Sequence, residues 1–307
     1  MLQRDGCAGY GGALSVYAGL SAALQLLSVS FFSIALHNNA FANCGVSGDV
    51  DAGNTYGGGV SLYIGAYSSV LSSNGDAVAA VGDTVVRNVS VTLDSTTFES
   101  CSATRNGVTT FGANVYGGSF SFYVGAYAWS RSDSRGNSSS TCGATDVSGV
   151  TVRVLNASSV HSSASTTTIG GASRAANSYG GSMSVLYVGA YAWSFSNAVS
   201  SNSSSMCEAT TASGVSVHVS DSGCSNCSAL TSSSLSSFGA NSYGGAISAS
   251  YIGSLCYSFA AGEFRFSSSS VIETTRVHRL SVTITNCTIA DTQAMSGECR
   301  SSHTIQL

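Results

Sequence analysis

Residues that could carry out catalysis are few in this sequence and lie far apart. Cleavage of a glycosidic bond needs two carboxylates facing one bond, about 5–9.5 Å apart. The 15 acidic residues are scattered over 307 positions, although Asp49 and Asp51 have the spacing to point the same way from a strand. Gly48 and Gly53 flank that pair, which favours a solvated turn. We therefore name no catalytic residue, but acids distant in sequence could still converge in space.

Metal-binding and redox motifs are equally weak. The five histidines have no His or Cys partner at a metal-ligand spacing. Cys224 and Cys227 form a Cys-x-x-Cys pair, but a zinc site needs further ligands and a redox motif needs a helix N-terminus. These cysteines recur at the repeat positions of Phe98 and Cys101, which predicts buried core residues. The sequence thus predicts neither a metal site nor a cofactor.

Aromatic residues are the one positive surface feature. In the repeated segments they alternate with aliphatic residues, so an inward aliphatic face would leave the aromatic side chains pointing outward. An exposed aromatic stripe can stack on sugar rings or form a protein interface. The alternatives are that the rings only stack on one another, or that serine-rich loops cover them. The candidate ligand-binding residues are Tyr63, Tyr67, Tyr123, Tyr127, Trp129, Tyr191 and Trp193.

The composition excludes several classes of protein. The 11 Lys and Arg residues against 15 Asp and Glu give a net charge of −4, and every one of these cations is an arginine. Charged residues make up 8% of the chain, where a soluble domain usually has about 25%. A weakly acidic chain without a basic cluster is a poor nucleic-acid binder. A hydrophobic fraction of 43% argues against a disordered chain.

Internal repeats dominate the sequence. Each repeat contains a segment of alternating aliphatic residues, such as Val89-x-Val91-x-Leu93. This alternation has period two, as in β-strands. A unit with strands and no helix cannot bury a core alone, whereas stacked units can, which predicts a solenoid. The motif Tyr-Gly-Gly starts five repeats of roughly 60 residues, at Tyr10, Tyr56, Tyr116, Tyr179 and Tyr243.

Stacked repeats should align equivalent residues into ladders. An asparagine stands two residues before four of the tyrosines, where side-chain amides could hydrogen-bond along the stack. A small residue follows the aliphatic segment, where it would fill a tight interior corner. It is cysteine in three copies and Ser163 or Thr292 in the others, with the third copy slipped by one residue. Leu186 and Ser250 are the simplest insertions in the last two copies. The ladder residues are Asn54, Asn114, Asn177, Asn241, Cys44, Cys101 and Cys227.

Two further expectations concern loops and spacing. Residues 130–140 and 196–205 are rich in serine and are interpreted as loops. With turns of roughly 20–30 residues, each repeat would make two or three rungs, and equivalent residues would lie about 10–14 Å apart. A disulfide cannot bridge that distance, so Cys142 and Cys207 should not pair. Buried free thiols are favoured over cystine, and any disulfide must join different columns.

Two segments carry a resemblance to a known group. The segments Asn286-Cys287-Thr288-Ile289 and Gly244-Gly245-Ala246-Ile247-Ser248 look like those of right-handed parallel β-helix proteins of the pectin-lyase-like superfamily. Phe41-Ala42-Asn43, with the Gly-Gly-Ala-Ile element, is similar to polymorphic outer-membrane protein and autotransporter passenger repeats. The resemblance covers most of the chain. It implies an all-β fold, a right-handed parallel β-helix (solenoid) built from about five repeats.

The sequence allows an extracellular or cell-surface location without demanding one. No signal peptide is visible at the start of the sequence. Residues 16–36 are uncharged and largely apolar, so membrane association through them is possible, but buried strands are favoured. Asparagines in N-x-[ST] sites are compatible with a glycoprotein, although chance alone accounts for about as many in so serine-rich a chain.

We expect residues 1–307 to form a single solenoid domain, as one section of a longer repeat protein. Its expected role is non-enzymatic: a β-helical surface or extracellular protein for adhesion, assembly or carbohydrate binding. The expected partner is a polysaccharide or a cell-surface protein, and no nucleic acid. The alternative is a carbohydrate-active enzyme, a polysaccharide lyase or hydrolase of pectin-lyase-like fold.

Overall fold

The structure, a computed structural model, describes residues 9–10, 12–22, 26–48, 54–73, 75–107, 114–172, 177–236, 242–249, 252–262, 267–296 and 305–306. Every regular element in these ranges is a β-strand. The abundance of Gly, Ser and β-branched residues disfavours helices, and the all-β prediction is confirmed. Asp49, Asp51, Asn241 and Ser250 lie outside the described residues.

The strands form six sheets, numbered I to VI in the order in which each repeat meets them. Sheet I contains β1 (Gly9–Tyr10), β6 (Thr55–Tyr56), β12 (Val115–Tyr116), β18 (Ser178–Tyr179) and β24 (Ser242–Tyr243). Sheet II contains β2 (Leu14–Ala22), β7 (Val60–Ser72), β13 (Phe120–Ser134), β19 (Met183–Ala198), β25 (Ile247–Ala249) and β26 (Ile252–Gly262). Sheet III contains β8 (Ala77–Val81), β14 (Ser138–Cys142), β20 (Ser203–Cys207) and β27 (Ser268–Ile272).

The other three sheets complete each repeat. Sheet IV contains β3 (Leu27–His37), β9 (Thr84–Asp94), β15 (Thr145–Leu155), β21 (Thr210–Ser220) and β28 (Thr275–Thr285). Sheet V contains β4 (Ala40–Ala42), β10 (Thr97–Glu99), β16 (Ser158–Val160), β22 (Gly223–Ser225), β29 (Thr288–Ala290) and β31 (Ile305–Gln306). Sheet VI contains β5 (Gly45–Gly48), β11 (Ser102–Gly107), β17 (Ser163–Ala172), β23 (Ser228–Ser236) and β30 (Gln293–Ser296).

Each repeat makes one coil through these sheets. β7 pairs in parallel with β13, so that Tyr63 faces Tyr123, and the same kind of register links each repeat to the next. The chain is therefore a parallel β-solenoid, as predicted. The expectation of two or three rungs per repeat is wrong, because a whole repeat is used in one wide coil. Equivalent residues lie in adjacent hydrogen-bonded strands, about 4.8 Å apart.

The serine-rich stretches are mostly strand, and their interpretation as loops is wrong. β13 continues to Ser134 and β14 begins at Ser138, with a short bend between them. Alternate serines point into the interior, where the hydroxyls of Ser130 and Ser140 hydrogen-bond at 2.7 Å. Both side chains are fully buried. Burying a hydroxyl costs little when a hydroxyl on a facing strand bonds to it. The tendency of serine to occur in loops therefore does not decide its place here.

Strand pairing shows that the third repeat is in register with its neighbours, so the expected displacement by one residue is wrong. Ser163 faces Ser102, which places Ser162 opposite Cys101. Ser162, and not Ser163, therefore holds the small-residue position of that coil. In the fourth repeat the register shifts between Phe122 and Tyr123, and Leu186 is the inserted residue, as predicted.

The corners of the coil use left-handed backbone at fixed positions. Gly117 and Gly180 of the Tyr-Gly-Gly motif have φ of +60° and +59°. A Cβ at Gly117 would collide with the carbonyl oxygen of Phe120, so this turn needs glycine for its conformation and for the close approach. Between sheets IV and V, residues that tolerate the left-handed region form a column of similar φ: Asn38, Ser95, Asn156, Asp221 and Asn286.

Apolar columns of sheets II and IV fill the centre of the solenoid. Val91, Val152 and Val217 lie in successive coils and are at most 2% exposed. Residues 16–36 contribute to this arrangement through β2 and β3, on two different sheets. The part of the chain that the structure describes contains no helix with the length and hydropathy of a membrane span.

Candidate functional site

The seven predicted aromatic residues lie on the outward side of sheet II, in a surface here called the aromatic face. They belong to β7, β13 and β19, and all seven are partly exposed. Val124 and Ala126, which alternate with them on β13, are fully buried. The same parity in β2, β19 and β26 adds four aromatic residues that sequence reasoning did not select: Tyr17, Phe195, Tyr257 and Phe259.

The tyrosines of the aromatic face form two stacks along the solenoid. Neighbouring ring centroids are 4.4 to 4.9 Å apart, and the ring planes are within 7° of parallel. Because each inner ring is covered on both faces by its neighbours, the outer surface consists of ring edges and hydroxyl groups. The stacking of the rings on one another, given above as an alternative to a stripe of open ring faces, is therefore what the structure shows for these tyrosines. The stacks are Tyr17–Tyr63–Tyr123 and Tyr67–Tyr127–Tyr191.

A third column begins with the two tryptophans. The rings of Trp129 and Trp193 stack at 5.4 Å, and Phe195 lies beside Trp193 at 5.9 Å. The Arg131 guanidinium lies 5.0 Å from the centre of the Phe195 ring, which is a cation–π contact. Arg131 also pairs with Asp133 at 2.6 Å, so that its charge is locally neutralised. This part of the face combines apolar bulk with one ion pair.

The hydroxyl group of Tyr127, in the middle of its stack, stays neutral. Burial, and then the neighbouring Tyr67 and Tyr191, raise the pKa of Tyr127 far above its usual value. At neutral pH this hydroxyl can both donate and accept a hydrogen bond. The backbone of Tyr187 pairs with Tyr123, but its side chain lies outside the described residues.

The aromatic face lies over a buried polar layer. Directly beneath it, Ser194 donates to the Ser140 carbonyl oxygen at 2.9 Å, and Ser205 donates to the Ser194 hydroxyl at 2.8 Å. All three serines are at most 2% exposed. This hydroxyl network ties sheet II to sheet III beneath the strands that carry the rings.

The predicted asparagine ladder leads into sheet I. The backbone N–H of Asn114 donates to Oδ1 of Asn54, and that of Asn177 donates to Oδ1 of Asn114, both at 2.9 Å. Asn54 also donates from Nδ2 to the Tyr56 hydroxyl at 3.0 Å. Each amide therefore joins two coils at the turn that precedes Tyr-Gly-Gly. Its role is to position the coils, since the amides are used within the chain.

The predicted cysteine ladder is only partly made of free thiols. Cys44 and Cys101 are free, and burial raises the pKa of Cys101 to about 11. Cys227 is bonded to Cys224, which occupies a neighbouring column of the same coil. The expectation of free thiols is therefore wrong for this pair, while the disulfide does join different columns.

Cys142 and Cys207 are much closer than expected. They face each other in β14 and β20, because one strand spacing separates neighbouring repeats. The argument from a 10–14 Å separation is therefore wrong, although both residues are buried free thiols. Each thiol donates to a backbone carbonyl of the next coil: Cys142 to Trp193 at 3.0 Å and Cys207 to Tyr257 at 3.1 Å.

Acidic residues that are distant in sequence come together at the corner between sheets III and IV. The N–H groups of Glu208 and Glu273 donate to the carbonyls of Cys142 and Cys207, which places the two acids at the same position of successive coils. Burial, and then the charges of Asp83 and Glu273, raise the pKa of Glu208. Sequence reasoning missed this pair because it compared neighbouring acids, whereas these lie one repeat apart.

Other chemistry finds little support in the described ranges. No group of three or more His, Cys, Asp or Glu residues there could hold a metal ion. An open groove of about 410 Å³ crosses sheet IV, with no carboxylate among its lining residues, which are Arg153, Leu155, Ser216, His218 and Thr283. No protein-family model, curated protein or solved structure matches this chain.

Proposed function

We propose that this chain is a non-enzymatic β-helical surface or extracellular protein whose aromatic face binds polysaccharide. The tyrosine stacks, with rings 4.4 to 4.9 Å apart, are the observation that carries this proposal. Rings held in a stack have already lost most of their side-chain freedom, so binding costs little further entropy. A cell-surface protein is the other partner that such a face would suit.

The chemistry of the face suits a neutral linear polymer. Ring edges offer apolar contact and the hydroxyls offer hydrogen bonds, in rows that run along the solenoid. A row that repeats once per coil can contact successive units of a polymer and add many weak interactions. Arg131 and Asp133 neutralise each other, so we expect binding to depend little on salt.

An extracellular or cell-surface location is part of the proposal. The asparagines of the six N-x-[ST] sites are all exposed, so they are accessible to glycosylation: Asn88, Asn137, Asn156, Asn202, Asn226 and Asn286. We also propose that the solenoid is a right-handed β-helix of the pectin-lyase-like superfamily, similar to polymorphic outer-membrane protein and autotransporter passenger repeats. Its parallel coils and the resembling segments support this.

A glycan array tests the proposal, with the wild-type chain beside two variants. The test variant carries Tyr67→Phe, Tyr127→Phe and Tyr191→Phe, which keeps the stacked rings and removes three hydroxyls. The control carries Tyr56→Phe, Tyr116→Phe and Tyr179→Phe in a third tyrosine stack, which lies in sheet I and has rings 5.1 and 4.8 Å apart. We expect the wild type and the control to bind a polysaccharide and the test variant to bind at least about tenfold more weakly. No binding by a folded wild-type chain would remove polysaccharide as the ligand, and equal binding by all three would remove this face as the site.

The second candidate is a carbohydrate-active enzyme, and Glu208 is the observation that favours it. A carboxyl group whose pKa is raised beside a second carboxylate is the arrangement a general acid needs. Incubation with the polysaccharides of the array, followed by measurement of new reducing ends or unsaturated products, tests this idea. Activity that Glu208→Gln abolishes would establish the enzyme, and unchanged substrate would leave the binding function.

A further inference from the structure

Three cysteine side chains meet in the interior between sheets II and III. Cys142 of β14 faces Cys207 of β20 in the next coil. Cys256 of β26 lies in the inward column of Ala192 and packs against the same cluster. The side chain of Cys207 shares hydrogen bonds with those of Cys142 and Cys256. Cys207 is therefore the central member of a group of three sulfur atoms, here called the thiol group.

Groups on both sheets hold the thiol group in place. Cys142 and Cys207 are fully buried. Their thiols project from sheet III towards sheet II, where they donate to the carbonyls of Trp193 and Tyr257 at 3.0 and 3.1 Å. The hydroxyl of Ser130, on sheet II, lies 3.3 Å from the Cys142 sulfur. The fold thus keeps these sulfur atoms close together and excludes solvent from them.

The backbone spacing and the state of the thiols both suit a disulfide. A disulfide requires Cα atoms about 4.4–6.8 Å apart, and facing residues of neighbouring strands lie about 4.8 Å apart. The hydrogen bond from Cys207 lowers the pKa of Cys142, and it also lowers the pKa of Cys256, because it stabilises the thiolate. The thiolate is the nucleophile in disulfide formation. A bond to Cys207 therefore asks for little movement of the coils.

We propose that Cys207 is a disulfide site, which oxidation joins to Cys142 or to Cys256 while the third cysteine stays a thiol. The oxidant is a small disulfide of the glutathione type. The partner thiolate attacks one of its sulfur atoms and releases one glutathione, and the Cys207 thiolate then attacks the resulting mixed disulfide and releases the second. The two thiol protons pass to the two released glutathiones. Two protein thiols and one oxidised glutathione thus give one protein disulfide and two reduced glutathiones.

The bond forms as the coils assemble, because a small oxidant reaches these thiols only before sheet II closes over sheet III. Either partner links two successive coils and closes a loop far longer than that of the disulfide between Cys224 and Cys227, which are three residues apart. A disulfide that closes a longer loop restricts the unfolded chain more. The extracellular location proposed above would supply oxidising conditions. The reaction itself does not depend on the aromatic face or on polysaccharide binding.

Refolding of the full chain under two redox conditions tests the proposal. The reduced, denatured chain is refolded with oxidised and reduced glutathione, or with dithiothreitol. Remaining thiols are alkylated in denaturant, and those that later reduction releases receive a second label. Mass spectrometry of chymotryptic peptides then reads each cysteine, since aromatic residues separate the three in sequence. The variants are Cys207→Ser, Cys142→Ser and Cys256→Ser. The control is Cys287→Ser, which removes a buried thiol that faces Ser222 and not a cysteine.

We expect Cys207 to be oxidised in the wild type and in the control after refolding with glutathione. Cys142→Ser and Cys256→Ser should each keep Cys207 oxidised through the remaining partner, whereas Cys207→Ser should leave both partners as thiols. Dithiothreitol should lower the urea midpoint of the wild type more than that of Cys207→Ser, since both also lose the bond between Cys224 and Cys227. Circular dichroism establishes that each refolded chain keeps its β-structure.

Two results would overturn the proposal. The first is a folded, glutathione-treated wild type in which Cys207 carries the label of a free thiol. This measurement needs no variant, so it stays decisive even if a serine variant fails to fold. The second is a bond from Cys207 to a cysteine outside the thiol group. Neither result bears on the glycan array, so failure here and failure of the proposed function are distinguishable.

Discussion

The ring of Tyr127 lies flat on the ring of Tyr191, with centroids 4.8 Å apart, although one full repeat separates the two residues in sequence. They meet because each repeat closes one coil and so brings equivalent residues to facing positions of adjacent strands. A residue in the middle of such a column contacts a like residue on each side. Its removal therefore disturbs two coil interfaces, whereas removal of an end residue disturbs one.

We expect Tyr127→Ala to lower the free energy of unfolding more than Tyr17→Ala. A stacked aromatic pair contributes about 0.5–1.5 kcal/mol beyond its buried area, and among the described residues Tyr127 makes two such pairs where Tyr17 makes one. Loss of stacking should thus cost about 1–3 kcal/mol at Tyr127 and about half of that at Tyr17. Urea denaturation measures the free energy of unfolding of both variants. Equal losses would contradict the idea that Tyr127 supports two coil interfaces and Tyr17 one.

We expect Ser194→Ala to destabilise the fold, even though the change is small. Ser194 shares hydrogen bonds with the hydroxyls of Ser140 and Ser205 at 3.0 and 2.8 Å, in a fully buried layer. Its loss leaves buried partners without one hydrogen bond, at a cost of about 1–3 kcal/mol. Ser204→Ala, on the exposed side of the same strand as Ser205, is the control and should stay within about 0.5 kcal/mol of wild type. A negligible effect of Ser194→Ala would show that the layer is not a source of stability.

We expect Gly117→Ala to be far more harmful than Gly75→Ala. Both glycines have φ near +60°, so alanine costs about 1–2 kcal/mol in backbone conformation at either position. At Gly75 an added Cβ meets nothing within 4 Å, whereas at Gly117 it collides with the Phe120 carbonyl oxygen. The Gly117 change should exceed about 3 kcal/mol, or prevent folding. Thermal melts of both variants measure the difference, and similar melting temperatures would argue against a close approach.

We expect stability to fall in alkaline solution, partly through Cys101. Burial raises the pKa of this thiol from 9.0 to about 11 in the folded chain. A raised pKa stabilises the fold below the unfolded value, and this contribution is lost as pH rises through the folded value. The free energy of unfolding should therefore decline between about pH 9 and pH 11, and Cys101→Ser should show a shallower decline. Parallel curves for the two proteins, from denaturation at a series of pH values, would refute the assignment to Cys101.

Much of the local structure could be predicted from the sequence because it depends on short-range patterns. Alternation with period two separates inward Val124 from outward Tyr127 on any strand. The recurring asparagine before Tyr-Gly-Gly pointed to the ladder in which the N–H of Asn114 bonds to Asn54. The width of a coil could not be predicted, since no local pattern says how many strands a chain uses before it returns to its own edge.

Because the number of strands in a coil is not evident from the sequence, the expected distances between equivalent residues are wrong. Cys142 and Cys207 face each other because one coil separates them, where two or three were expected. Local composition favours loops at Ser130 and Ser140, because a serine hydroxyl is stable in a core only when a facing strand supplies a hydrogen-bond partner, as these two do for each other. The Glu208 and Glu273 pair has the same origin, because residues one repeat apart become neighbours only in the assembled solenoid.

By itself the sequence determined that this protein is a stack of β-strand repeats with aromatic residues on one outward face. Those features follow from side-chain alternation and from the repeat, which any folded form of the chain must satisfy. Only the tertiary structure decided that one repeat makes one coil, that the tyrosine rings cover one another and show their edges, and that Glu208 and Glu273 occupy the same position of successive coils. These properties depend on hydrogen-bond register between strands far apart in sequence, and register is set by the packing of whole coils.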